Sequence, residues 1–507
     1  MNKDKDNLFS ISKILNQNEF RVFVIAIIVS LAAKGASLFP ISYSSDDFFA
    51  TFSSRNFDWF VGDGRFGWAL LSELTYIIGA APPFTNTFYT LLYMISLVIV
   101  GIIVCRIWRI NDSMVLSTLV VLFISIHPYQ AELFSFKVNA LYNALSIFFA
   151  YIGLYYSELK LKTVLWTSFC VVVALSIYQI SLSLIFTTLC LALVLEVPRQ
   201  YTQNTSINWR EIINNTKLWP RLITICSGTG LYLVINKAIQ YVLHISPSDR
   251  FQFIHIENIL PRLIEIKNVL IRIFILPEPL MPISLKIMLI ILILLAVYFY
   301  VGKIFSKSLN KSTIVNLSVL TVLFIIATLS IIGVTSAIKS WWPVPRSLSA
   351  ISFFWGGMIA LAYITSGEKI RLLVVSLSIF VLFGFIGINN HIFTDQLRLN
   401  MRDFHKANRI IARMENNPDF TKIQRIAVVG GNWYYPSAIH TVEGDMNISA
   451  FSQPWSKISI LKEISGYDFA YATPDEQKKA EEYCRGTLKW PEPGSVIISG
   501  NLCIVCL

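Results

Sequence analysis

Two adjacent carboxylates, Asp46 and Asp47, stand in Ser44-Ser45-Asp46-Asp47-Phe48-Phe49, and a glycine-rich turn follows as Gly62-Asp63-Gly64-Arg65-Phe66-Gly67-Trp68. A carboxylate can take the proton of an attacking hydroxyl. An arginine in a turn can hold an anion with a planar fork of donors. A later stretch, Ser340-Trp341-Trp342-Pro343-Val344-Pro345-Arg346-Ser347, places Arg346 in a proline-stiffened aromatic turn. Glu132, Lys137, Tyr178-Gln179 and Arg250 complete the candidate set. Plainer readings compete: Ser45 or Asp46 would cap a helix that runs from Asp47, and Trp341 and Trp342 would form an interfacial belt. His127, His244 and His255 are not at ligand spacing, and no cysteine pair or His/Cys cluster has structural zinc spacing. No metal site and no cofactor is therefore assigned, and a divalent metal has no support in the sequence.

The elements that position these groups are apolar. Of 507 residues 54% are hydrophobic and only 14% charged, where soluble domains carry about 25% charged residues. Disorder is excluded by that apolar fraction together with 13% aromatics. A disulfide-stapled miniprotein is excluded by seven cysteines over so long a chain. Apolar runs predict eleven membrane spans, near residues 20–38, 84–105, 113–126, 138–156, 164–177, 180–197, 219–242, 284–301, 314–334, 349–364 and 372–389. The run 164–197 is too long for one span, and its polar middle, Ser176-Ile177-Tyr178-Gln179-Ile180-Ser181, predicts a break. The first run lacks a cleavage site and reads as an uncleaved span.

Charge sets the sidedness. Residues 395–507 carry 13 basic and 13 acidic side chains, so the whole net charge of +11 lies before them, among the apolar runs. That location favours topology and lipid contact over nucleic acid. The N-terminus, Arg106/Arg109, Lys160/Lys162, Arg199/Arg210/Lys217, Lys303/Lys307/Lys311 and Lys369/Arg371 fall in alternate loops, which the positive-inside rule puts in the cytoplasm. The candidate residues then fall on the opposite side. The outer loop 244–282 contains an amphipathic stretch, 261–272, expected to lie along the interface.

After His391 the pattern changes to that of a small α/β domain, giving a division into residues 1–392 and 393–507. Met401, Phe404, Ile411 and Met414 lie at helical spacing between Asp395 and Asn416. Arg425–Val429 before Gly430-Gly431 predicts a buried strand, and the segments flanking Gly500-Asn501 predict a hairpin. An oxidising compartment permits a disulfide from Cys484 to Cys503 or to Cys506. The latter two point to opposite faces of one strand and so do not pair together.

Asp46-Asp47 after the first span, Gly64-Arg65, Ser176-Ile177-Tyr178-Gln179 and Pro345-Arg346, in that order and on one side, resemble the serotype-converting O-antigen glucosyltransferases of the Gtr type. Length, span number and an outer C-terminal domain match as well. These enzymes are similar to the wider GT-C class of multi-span transferases, which carry an acidic residue in the first outer loop. The resemblance implies a bacterial inner-membrane enzyme with a cytoplasmic N-terminus and a periplasmic C-terminal domain. It implies undecaprenyl-phosphate-linked glucose as donor and a lipopolysaccharide O-antigen repeat unit as acceptor.

The chemistry fits that expectation. A transferase facing the periplasm has no nucleotide sugar to draw on, so its donor must be lipid-carried. Direct displacement at C1 with inversion needs one base, for which Asp46 is preferred, with Asp47 orienting the acceptor or pairing with Arg65. Arg65 and Arg346 are expected at the donor phosphate, with Glu132, Lys137, Tyr178, Gln179 and Arg250 around the substrates. An O-antigen polymerase would rely on basic outer loops, and the adjacent aspartates count against it. A transporter of polysaccharide or lipid-linked sugar would show charged residues along a path through the bilayer, and none is evident.

Overall fold

The structure is a computed structural model that describes residues 15–39, 42–52, 56–82, 85–203, 207–305, 311–431 and 438–507. The N-terminal lysines and Lys307, used above for sidedness, lie outside these residues. A helix forms at every one of the eleven apolar runs: Gln17–Lys34, Asn86–Ile107, Met114–Ile126, Ala140–Tyr155, Leu161–Ile177, Ser181–Gln203, Leu218–Val242, Ile283–Phe305, Lys311–Ile332, Ile351–Thr365 and Glu368–Glu415. Among the described residues eight helices are long and apolar enough to cross a membrane. A ninth arises if Met114–Ile126 and Pro128–Ser135, bent by 42° at His127, form one broken span. Leu161–Ile177 and Leu317–Ile332 are apolar but shorter.

Local chemistry sets the helix ends. Asn16 and Glu19 form a reciprocal capping box at the start of the first helix, and Glu19 also pairs with Arg106 at 2.7 Å. That pair ties the start of the first helix to the end of the second. The break inside 164–197 occurs where the polar stretch predicted it: Tyr178 is extended, and Ser146 Oγ donates to the carbonyls of Ala174 (2.8 Å) and Tyr178 (3.2 Å). In a medium without water such side chains satisfy the backbone groups that a break exposes. Helices cross closely where glycine removes the side chain. A Cβ on Gly228 would lie 2.6 Å from Val171, and one on Gly153 would lie 2.9 Å from the Thr167 carbonyl.

The last helix departs from expectation. Glu368–Glu415 is one continuous helix of 48 residues, so the span near 372–389 and the helix of 395–416 are a single element, and the 392/393 boundary falls inside it. At 1.5 Å per residue it is about 70 Å long, against a hydrocarbon core of about 30 Å, so its second half projects beyond a bilayer. Phe404, Ile411 and Met414 pack on the sheet as their spacing predicts, whereas Met401 is exposed.

The projecting half carries a four-stranded sheet, β1 (Arg425–Val429), β2 (Ala470–Tyr471), β3 (Val496–Ser499) and β4 (Leu502–Cys506), in the order β2-β1-β4-β3. β3 and β4 form the predicted hairpin, with Val496 opposite Val505 and Ser499 opposite Leu502. β1 pairs in parallel with β4 and with β2. Cys484 bonds to Cys506, while Cys503 faces the other side of β4 and is buried among Ile426, Val428 and Phe451. The amphipathic stretch is the helix Ile259–Phe274, with Leu260, Leu263 and Ile264 exposed and Val269 and Ile273 buried.

The Glu19–Arg106 end of the bundle and the sheet end lie at opposite ends of the first helix. Reporter fusions at Lys160 and after Leu507 are expected to report opposite sides of the membrane. The same side for both would break the alternation of helices.

Candidate active site

Asp46 and Asp47 begin the helix Ser45–Phe52, and their roles separate at once. The cap is Ser44, one residue earlier than expected. Its N–H and Oγ both donate to Asp47 Oδ2 at 2.8 Å, and its Oγ accepts from the Asp47 N–H at 3.3 Å. Asp47 also accepts the N–H of Val138 (2.7 Å, Oδ1) and of Lys137 (3.4 Å, Oδ2). With 1% of its surface exposed, it is a clamp between two loops and does not pair with Arg65. Lys137 is buried beside it, and its Nζ donates to the Phe39 carbonyl at the end of the first span.

Asp46 points elsewhere and retains an exposed part. Its Oδ1 accepts the indole N–H of Trp455 at 3.1 Å. Removal from water pushes its pKa up to about 6, Arg346 opposes the rise, and Asp445 and Asp47 add to it. A carboxyl tuned to that range suits a general base near neutral pH.

Arg346 stands between two acids. It donates to Glu132 through both its backbone N–H (2.7 Å) and Nη1, and through Nη2 to Asp445 Oδ2 at 2.8 Å. The guanidinium also lies 5.0 Å from the centre of the Phe136 ring. Glu132 is fully buried. The expected phosphate ligand is therefore tied to two carboxylates. Asp445 sits in the turn Glu443–Met446, where Gly444 has φ +60° and a Cβ would press to 2.6 Å from Val344. The preceding Glu443 pairs with Arg272 of the amphipathic helix at 2.9 Å. Arg272 donates to the Pro343 carbonyl at 2.7 Å. The turn is thus gripped on both sides.

Arg65 contrasts with Arg346. It has no carboxylate within ion-pair distance among the described residues, and its Nε is buried without a hydrogen-bond partner. Its guanidinium lies over the rings of Tyr178 (5.2 Å) and Trp68 (5.7 Å). Two of the motifs meet here. Gln179 Nε2 donates to the Asp63 carbonyl and to the Tyr232 hydroxyl, each at 3.0 Å, and Tyr232 donates to the Gly64 carbonyl at 2.9 Å. Gly67 packs so tightly on Ser176 that a Cβ would lie 2.1 Å from its Oγ. Gln179 thus holds the Arg65 turn. Tyr178 is raised in pKa by burial, and Arg346, Arg65 and Arg250 oppose that rise while Glu132 adds to it, so its hydroxyl lies in the field of both halves of the site. Arg250 is at the rim, 3.9 Å from Asp63 and 5.8 Å from the centre of the Trp59 ring.

The structure therefore gathers Asp46, Asp47, Glu132, Lys137, Arg346, Tyr178 and Arg65 at one end of the bundle. It gives Gln179 a supporting position and Arg250 a peripheral one. Two members were not anticipated. Asp445 and Trp455 come from the C-terminal region, about 400 residues after Asp46, and only the acidic Glu443-Gly444-Asp445 turn hinted at either. Among the described residues no group of three or more His, Cys, Asp or Glu side chains could hold a metal ion.

One end of a bundle of apolar helices thus brings together a partly exposed carboxylate, Asp46, and an arginine, Arg65, with no carboxylate in ion-pair distance among the described residues. The chain matches the glucosyl transferase GtrII family over residues 35–363, more than half its length, and belongs to that family. No curated protein and no solved structure matches it. The matched region contains every residue expected from the sequence, and Asp445 and Trp455 lie beyond it.

The division between the aspartates is testable by stability. Asp47→Ala leaves buried amides without an acceptor and is expected to cost roughly 2 kcal/mol, seen as a lower melting temperature of the detergent-solubilised protein. Asp46→Ala should melt like the wild type. Equal effects would contradict the clamp.

Proposed function

We propose that this glucosyltransferase transfers glucose from undecaprenyl-phosphate-glucose to a hydroxyl of an O-antigen repeat unit, on the periplasmic side of the inner membrane and with inversion at C1. The reading includes all eleven helices as spans, with the N-terminus cytoplasmic and the sheet domain periplasmic. The observation that carries it is the joint presence, at one end of the bundle, of a carboxylate whose pKa burial raises to about 6 and a cation with no acid partner among the described residues. A phosphate leaving group needs the second and an attacking hydroxyl needs the first.

In this mechanism Asp46 accepts the proton of the acceptor hydroxyl as its oxygen bonds to C1. The bond from C1 to the phosphate oxygen breaks, and its electron pair leaves on undecaprenyl phosphate. Arg65, with donors still available and aromatic rings excluding water around it, meets the charge that grows on that oxygen. Arg346 supplies a fixed positive charge that limits the rise in the pKa of Asp46 and adds to the field at the phosphate. Glu132 and Asp445 hold Arg346 in place, Tyr178 lies beside Arg65, and Lys137 and Asp47 fix the start of the helix from which Asp46 projects. Asp46 must be ionised to act. Activity is therefore present above a pH of about 6 and is lost as pH falls through that value.

The direct test is expression in a strain with a defined O-antigen and a supply of glucosyl lipid, followed by NMR and mass analysis of the polysaccharide. An added glucose per repeat supports the reading, and an unchanged repeat overturns it. A longer polymer without added glucose would instead indicate a polymerase.

Asp46→Asn, in correctly inserted protein, is expected to lower turnover about 10²–10⁴-fold. The wild-type rate should fall as a single-proton titration below a pH of about 6. A flat profile between pH 5 and 8 would remove Asp46 as the base. Arg65→Ala should reduce turnover by roughly 10²-fold or more, with Arg65→Lys only partly active. Full turnover by Arg65→Ala would exclude it from the phosphate.

A further inference from the structure

From Met446 to Leu461 every residue is buried except Pro454 and Trp455. The segment is held by Asp403, which accepts from Ser449 Oγ and the Ala450 N–H at 2.7 Å each. Ser456 Oγ donates to the Ala450 carbonyl at 2.6 Å, and the Tyr471 hydroxyl donates to the carbonyl of Trp455 itself at 2.8 Å. The backbone beneath Trp455 is therefore fixed, yet 40% of the residue is exposed. No other aromatic ring or cation covers its face among the described residues. Its edge meets the site, because Nε1 donates to Asp46 Oδ1. The helix Lys457–Ser465 that follows packs on the helix Ser45–Phe52 that carries Asp46; exposed Phe52 ends the latter helix, and exposed Tyr471, on β2, reaches the Trp455 carbonyl.

An indole presents an electron-rich face. The axial C–H groups of a pyranose form a weakly positive apolar patch, while its hydroxyls point outward around the ring. A sugar lying on Trp455 would place its hydroxyls at the rim of the indole, and the carboxylate at that rim is Asp46. A rigid aromatic anchor also binds with little loss of conformational freedom.

We propose that Trp455 is the floor of the acceptor subsite, stacking against a pyranose ring of the acceptor saccharide so that one of its hydroxyls meets Asp46. This rests on the transfer reaction above and assigns acceptor recognition to the C-terminal domain, outside the region shared with the family. The donor would then be held by the bundle and the acceptor by the domain, with Asp46 at their junction.

The test uses the full-length protein in detergent, undecaprenyl-phosphate-glucose as donor and a purified O-antigen polysaccharide of defined repeat as acceptor. Trp455→Ala is expected to raise the acceptor KM roughly tenfold while the donor KM stays within about twofold. Trp455→Phe keeps an aromatic face and should restore the acceptor KM. It lacks the indole N–H to Asp46, so the acid limb of its pH profile should move to higher pH. Saturation-transfer NMR with the polysaccharide alone should show contact in the wild type and lose it in Trp455→Ala. An unchanged acceptor KM with unchanged NMR contact overturns the proposal. So does an equal rise in both KM values with a lower melting temperature, which would make Trp455 a packing residue. A wild type that transfers no glucose would refute the reaction instead, and the NMR comparison would still decide the subsite.

Discussion

A guanidinium removed from most of its water is tolerable only where opposite charge surrounds it. Arg346 meets that requirement with Glu132 from the bend after the third helix and Asp445 from a turn of the C-terminal domain. Removing one partner of such a pair commonly costs about 3–5 kcal/mol, because the other charge is left unmatched. The contact therefore acts as a latch between bundle and domain. Arg346 also opposes the rise in the pKa of Asp46 to which burial, Asp445 and Asp47 contribute.

The latch depends on rigidity at a distance. The continuous helix Glu368–Glu415 carries the position of the bundle into the domain, and two of its acids fasten the segment that reaches back. Asp395 Oδ2 accepts from the N–H groups of His440 and Thr441 and from Thr441 Oγ1, and Asp403 binds Ser449 and Ala450. Between these anchors lies the turn with Asp445, and just after them lies Trp455. A second network ties the same turn to the amphipathic helix: Arg272 pairs with Glu443, and the side chain of Lys286 lies 3.1 Å from Glu278, which accepts the Tyr129 hydroxyl at 2.7 Å. The amphipathic helix, the bundle and the domain therefore position one another.

The two neighbouring aspartates show how a helix start divides labour. A residue three positions after a capping serine is drawn back onto that cap, so Asp47 is saturated by backbone and hydroxyl donors. Asp46, about 100° away around the helix, stays partly exposed and keeps capacity for a proton. Arg65 and Arg346 divide similarly. One is stacked on aromatic rings and has no acid partner among the described residues, and the other is fixed by acids and sets the field.

Much of this was legible in the residues. Apolar runs located eleven helices, eight of which are long and apolar enough to cross a membrane among the described residues, the polar hexapeptide around Tyr178 located a break, and turn residues located β1 and the β3–β4 hairpin. Each is local, since hydrophobic periodicity and turn chemistry act over a few positions. The residue types at Asp46, Arg65 and Arg346 suggested the acid–base and anion chemistry that the proposed function assigns to them. Tertiary structure decided what local pattern cannot carry. It chose Asp47 as the clamp through the amides of Lys137 and Val138, bound Arg346 to acids, joined two expected helices into one, selected Cys506 over Cys503, and brought Asp445 and Trp455 into the site. A charge's partners depend on which segments fold together, and contacts made across some 400 residues leave no periodic trace in the chain.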